Sequence, residues 1–175
     1  RTIRPDPALI TRARGLTVTP LGYIWVAHTP GQRIVVLNGV GELQREFPVW
    51  PDENAQVTDV VVAADGTSFA AVLGINKIVK YDENGQRLLV WDIPPANTME
   101  APHLALDAEG QLYVTQPEES RVARYSPDGV QTGYWQLPRP PDMVKPVGIA
   151  LSETGRAPAI WVTDSEGGRL VRLDP

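Results

Sequence analysis

One pattern recurs four times along this 175-residue chain, and nothing else in it narrows the fold as far. Gly15-Leu16-Thr17-Val18, Asp59-Val60-Val61-Val62, His103-Leu104-Ala105-Leu106 and Gly148-Ile149-Ala150-Leu151 begin at intervals of 44, 44 and 45 residues. After each comes a turn, then a segment carrying an aromatic residue: Trp25, Phe69, Tyr113 and Trp161. Eight residues past each aromatic stand a basic residue and an aliphatic one, Arg33-Ile34, Lys77-Ile78, Arg121-Val122 and Arg169-Leu170. The first three repeats align without a gap, and the fourth differs only in a longer first turn, by Arg156-Ala157-Pro158.

Within each repeat apolar residues alternate, as at Leu16/Val18, Val79/Tyr81 and Leu104/Leu106, which is the period of a strand with one covered face. Turn chemistry separates these runs: Leu21-Gly22, Asp65-Gly66, Glu109-Gly110 and Thr154-Gly155 at the first junction, and Gly39/Gly41, Asn84-Gly85 and Asp128-Gly129 at a later one. A second aromatic column, Phe47, Trp91 and Trp135, marks a fourth strand, with Pro51, Pro94 and Pro138 where the chain leaves the sheet. Four antiparallel strands in 44 residues is the size of a β-propeller blade. The predicted fold is therefore all-β, a single domain over residues 1–175 with four blades at approximately 13–56, 57–100, 101–144 and 145–175. Counting back 44 from Phe47 reaches Ile3, so residues 1–5 are expected to complete the fourth blade as its last strand. A closed four-blade ring and a four-blade arc of a longer ring both remain open.

Composition excludes several function classes. Seventeen prolines and 15 glycines argue against long helices. With no cysteine and only two histidines, His28 and His103, the chain has no disulfide, thiolate nucleophile or three-histidine metal site. Sixteen basic against 21 acidic residues give a net charge of −5, which repels nucleic acid and anionic membranes unless a local basic patch gathers. No stretch reaches the roughly 18 apolar residues of a membrane helix. The first residue is Arg1, which points to processing or to a piece of something larger. The cysteine-free, proline-rich composition slightly favours an extracytoplasmic setting.

In a propeller, ligands meet the rim formed by the loops before each first strand and the loops between second and third strands. That places His28, Asp59, Met99, Glu100, His103, Met143 and Asp164 as candidate rim residues. Asp59 and His103 open first strands in adjacent repeats, where a carboxylate and an imidazole suit a divalent ion, calcium among the candidates, or an acid–base pair. Capping of strand ends is the competing assignment, because only Glu100 and Asp164 offer further ligands. The basic column recurs in every repeat, which fits bridges to nearby carboxylates better than a phosphate site used once. Asp82-Glu83-Asn84-Gly85 lacks the later glutamate of a calcium loop and reads as a hairpin turn. The stiff, proline-rich connections at 94–99 and 138–143 carry the two methionines and suit protein contact.

The recurring sequence of strand, turn-glycine, strand and Asn-x-basic-aliphatic resembles the NHL repeat. Gly148-Ile149-Ala150-Leu151 with Ile160-Trp161-Val162-Thr163-Asp164, and Asn76-Lys77-Ile78, carry it best. The resemblance implies a propeller and leaves the activity open, since the scaffold hosts many functions. Missing catalytic constellations favour a non-catalytic module that binds a protein, peptide or glycan, within a larger bacterial protein or assembly. Self-association is also compatible; nucleic acid and direct membrane insertion are not expected. The alternative that the resemblance implies is a metal-dependent hydrolase or lyase of the gluconolactonase or virginiamycin B lyase kind, with Asp59 and His103 at a central ion. The aspartate that NHL blades place at the end of the second strand is matched here by Asp164 alone; His28, Val72 and Gln116 replace it.

Overall fold

The computed structural model describes residues 2–3, 5–51, 54–96, 100–138, 144–152 and 159–174, and its regular structure is almost wholly strand. In chain order the strands are β1 (Ala13–Val18), β2 (Ile24–His28), β3 (Arg33–Leu37), β4 (Leu43–Pro48), β5 (Gln56–Val62), β6 (Ser68–Leu73), β7 (Lys77–Tyr81), β8 (Arg87–Asp92), β9 (Leu104–Leu106), β10 (Leu112–Gln116), β11 (Arg121–Tyr125), β12 (Gln131–Gln136), β13 (Pro146–Ser152), β14 (Ala159–Asp164) and β15 (Arg169–Leu173). They form four antiparallel meanders, β1–β4, β5–β8, β9–β12 and β13–β15, one for each sequence repeat. Among the described residues no helix is long and apolar enough to cross a membrane.

Six hairpin turns share one design. The residue opening the turn accepts a hydrogen bond from a glycine three positions on and donates one to the carbonyl four positions on. The pairs are Thr19 with Gly22, Asn38 with Gly41, Ala63 with Gly66, Asp82 with Gly85, Asp107 with Gly110 and Ser126 with Gly129. All six glycines hold φ between 76° and 94°, the left-handed region where a Cβ is costly. This is the turn-plus-bulge hairpin, and the bulge accounts for the register shifts at Val36/Leu37 and Arg124/Tyr125. Side chains reinforce it: Asp82 Oδ1 accepts the Asn84 and Gln86 N–H groups at 2.9 and 2.7 Å, and Asn38 Oδ1 accepts those of Val40 and Glu42, each at 3.0 Å. The expected turn at Thr154-Gly155 lies outside the described residues.

The chain divides into two compact units, 1–91 and 92–175. In the first, alternate residues of β1–β4 and β5–β8 bury a common core in which Trp25, Phe47 and Tyr81 meet edge-on or tilted, with centroids 6.0 and 5.3 Å apart. The Tyr81 hydroxyl donates to the Val49 carbonyl at 2.6 Å, tying the second sheet to the chain leaving the first. In the second unit Tyr113, Val122, Leu137, Ile160 and Val162 form the core, with Trp135 stacked 5.8 Å from Tyr113. The aromatic columns of the sequence are thus core packing.

The last sheet has three strands among the described residues. Thr2 and Ile3, from the segment expected to complete it, carry no strand structure, and the Ile3 side chain lies against Gly41 in the β3–β4 turn. Pro5 and Pro7 remove two ladder donors from this stretch, and the isoleucine gains apolar cover at the turn.

Candidate functional site

The second strand of a sheet ends where the chain turns towards the basic column. On β14 that end is Asp164, fully buried, whose Oδ1 accepts the N–H groups of Lys145 and Gly167 at 3.0 Å each while Oδ2 accepts from Arg169 Nε at 2.9 Å. Burial alone would raise its pKa, but these donors outweigh burial and hold the carboxyl below the usual range. On β10 Gln116 does the same without charge, accepting from Arg121 Nε at 2.5 Å and donating to the Tyr125 hydroxyl at 3.0 Å. On β2 the residue is His28. Its Nε2 lies 3.3 Å from the Thr11 N and 3.2 Å from the Thr11 hydroxyl, and its buried Nδ1 has no hydrogen-bond partner. Burial, then the Arg33 charge, pushes the imidazole pKa down against the opposing pull of Glu46, so the ring is neutral at neutral pH. A glycine stands three positions beyond His28 and beyond Asp164, where a side chain would collide: a Cβ on Gly31 would stand 2.5 Å from His28 Nδ1, and one on Gly167 2.2 Å from Asp164 Oδ2.

The basic column pairs locally. Arg33 faces Glu46 at 3.3 Å and donates to the Leu9 carbonyl at 3.1 Å, Arg121 is paired with Glu119, and Arg169 with Asp164. Each basic residue follows a left-handed corner, at Gln32, Asn76, Ser120 and Gly168. In the second unit Lys145, 7% exposed at its side chain, lies 2.7 Å from Glu118 and 3.1 Å from Glu100. Burial disfavours its ammonium, but the hydrogen bonds to Glu118 and Glu100 prevail and raise the pKa above the usual lysine value. Glu100 and Asp164 are thus engaged in ion pairs.

Asp59 is buried on β5, its Oδ1 accepting the Val60 N–H at 2.9 Å and pressing on Gly15, where a Cβ would stand 2.0 Å away. His103 belongs to the other unit, its backbone N–H donating to the Thr115 hydroxyl at 2.8 Å. Among the described residues no three of His, Asp and Glu gather as a metal centre would require. Met99 and Met143 lie outside the described residues.

Among the described residues of the first unit, two clefts bear on the site. One, of about 830 Å³, lies at the end bearing the β1–β2 and β3–β4 turns and is lined by Leu21, Tyr23, Trp25, Val62 and Glu83; the Arg45 guanidinium rests 4.6 Å over the Trp25 ring and donates to the Glu83 carbonyl. The other, of about 660 Å³, is at the rim, where the segments entering β1 and β5 meet the β2–β3 corner. Its polar lining is Arg12, Arg14, Thr29, Gln32 and Gln56, with both arginines exposed. The rim's location follows from the repeat pattern, but its two arginines were missed. The available signal was an Arg-x-Arg step at the opening of a first strand in an acidic chain.

Sheets of this make, one per repeat, define the class: the chain has the fold of a β-propeller. No protein-family model matches it, and neither does the sequence of any curated protein. Among solved structures it is similar to virginiamycin B lyase from Staphylococcus aureus, with a TM-score of 0.69 and 22% identity over 93% of this chain and 55% of that one. It is also similar to a streptogramin B lyase, with a TM-score of 0.70 and 22% identity over 95% of this chain and 56% of that one. BBS1N, solved in complex with ARL6DN, gives a TM-score of 0.64 at 17% identity over 90% and 49%. The chain therefore spans about half the length of these structures, and at such identities the likeness is one of fold.

Proposed function

We propose that this chain is an NHL-like β-propeller domain that serves as a non-catalytic interaction module, taking a protein or peptide at the rim of its first unit, within a larger bacterial assembly. The repeat motifs support the NHL assignment. The observation that carries the binding role is the open polar cleft at that rim, where guanidinium, amide and hydroxyl groups line a volume of about 660 Å³. Such a surface recognises hydrogen-bonding chains with little rearrangement. Glu100, Glu118 and Asp164, by contrast, are committed to Lys145 and Arg169 and hold the second unit's loops together. That the similarly folded BBS1N is seen in complex with ARL6DN supports the use of such a fold as a protein-interaction module.

Amide NMR during titration with a peptide mixture tests this reading. Shifts should cluster at Arg12, Thr29, Gln32 and Gln56; shifts confined to other surfaces would overturn the assignment. The alternative, a lyase acting as the streptogramin B lyase does, draws on likeness of fold. It predicts streptogramin turnover that Asp59→Asn and His103→Asn each abolish.

A further inference from the structure

We infer that the rim cleft of the first unit selects acidic peptide segments, recognising carboxylates through Arg12 and Arg14; this rests on the interaction-module reading. Among the described residues that line the cleft, Arg12 and Arg14 are the charged ones and none is a carboxylate. Arg12 is exposed and makes no ion pair among the described residues, whereas Arg33, Arg121 and Arg169 are each matched to a carboxylate. A guanidinium presents a planar fork of donors that fits a carboxylate in bidentate fashion.

The distribution of charge over the chain agrees. Residues 1–91 contain nine basic and nine acidic side chains, while 92–175 contain seven and twelve, so the whole −5 falls on the second unit. An acidic ligand therefore meets a first unit of zero net charge, at a cleft whose charged lining among the described residues is basic. The remaining polar lining, Thr29, Gln32 and Gln56, consists of hydroxyl and amide groups, which complement a peptide backbone. None of the described lining residues is aromatic and able to stack a base, which sets a peptide apart from a single-stranded nucleic acid.

The test is an array of short peptides in three series, glutamate-rich, glutamine-substituted and lysine-substituted, with a charge-matched oligonucleotide beside them. It is probed with the wild-type chain, Arg12→Gln/Arg14→Gln, Arg12→Glu/Arg14→Glu and Arg172→Gln, each verified as folded by circular dichroism. The glutamate series should bind at least tenfold better than its glutamine analogue. The double glutamine variant should lose that preference, the double glutamate variant should shift it to lysine peptides, and Arg172→Gln, which removes a charge from the other unit, should keep it. Raising salt from about 0.05 to 0.5 M should weaken the glutamate series most. Binding of neutral peptides as tightly as acidic ones, or a preference untouched by either double variant, overturns the inference while leaving the module reading in place. Preference for the oligonucleotide overturns it in favour of a nucleic-acid site. Binding of no peptide in any series removes both readings.

Discussion

Asp164 and His28 occupy the same place in different repeats, and their opposite chemistries lead to opposite pH behaviour. For Asp164 the folded pKa lies below the ordinary 3.8, so its contribution to stability is present above that value and is lost as pH falls through the folded pKa. Replacing it with alanine strands the Lys145 and Gly167 amides and unpairs Arg169. With Arg169 partly exposed, the cost should be about 2–3 kcal/mol in urea unfolding. Asp164→Asn keeps an acceptor for the amides and should cost roughly 1 kcal/mol less. For His28 the folded pKa lies below the ordinary 6.5, so its contribution is full above 6.5 and declines as pH drops from there towards the folded value. His28→Gln, which copies the side chain that Gln116 supplies at the same place on β10, should flatten that part of the stability-against-pH curve; an unchanged slope would show that another group titrates there. The sequence singled out both positions as polar strand ends. Their roles were not legible, because the partners, Thr11, Lys145 and Gly167, are backbone groups whose availability depends on where the chain folds back.

Strands and turns were legible almost throughout, because local chemistry specifies both. Alternation fixed which faces are covered, and glycine at the fourth turn position fixed the hairpins. Two of those glycines offer a controlled comparison. Gly85 and Gly110 have similar φ, 82° and 77°, but a Cβ at Gly85 would stand 2.6 Å from the Phe47 ring, whereas one at Gly110 meets nothing nearer than Pro127 at 3.5 Å. Gly110→Ala should therefore cost the backbone term alone, about 1–2 kcal/mol. Gly85→Ala should add a core-packing penalty of about 1–3 kcal/mol. Equal thermal shifts for the two variants would mean that Phe47 yields without cost. The fourth strand expected for the last sheet was not legible in this way: its position came from counting repeats, while the prolines at 5 and 7 and the apolar cover that Ile3 finds at Gly41 act locally.

Taken over its full length, the sequence announced its class through repetition and concealed the face proposed here for binding. A repeat reports what every blade shares, whereas a recognition surface is made of what one blade does differently. Arg12 and Arg14 have no counterpart in the column arithmetic, and they become adjacent to Thr29, Gln32 and Gln56 only once two sheets pack. The charge imbalance between the halves was present in the sequence but gained meaning only with the boundary at residue 91.

The shared hairpin design also bears on how quickly the chain finds its structure. Every strand pairs with its neighbour in sequence, so the ladders close across turns of a few residues and little loop entropy is lost before contacts form. All-β proteins are slow folders when their pairings are distant, and these pairings are not. Stopped-flow refolding should show a main phase faster than that of a β-sandwich of equal length, and Asp82→Ala, which removes two turn hydrogen bonds, should slow that phase more than it speeds unfolding. If the substitution acts on unfolding alone, hairpin closure comes after the rate-limiting step, and the blades are assembled by collapse of their cores instead.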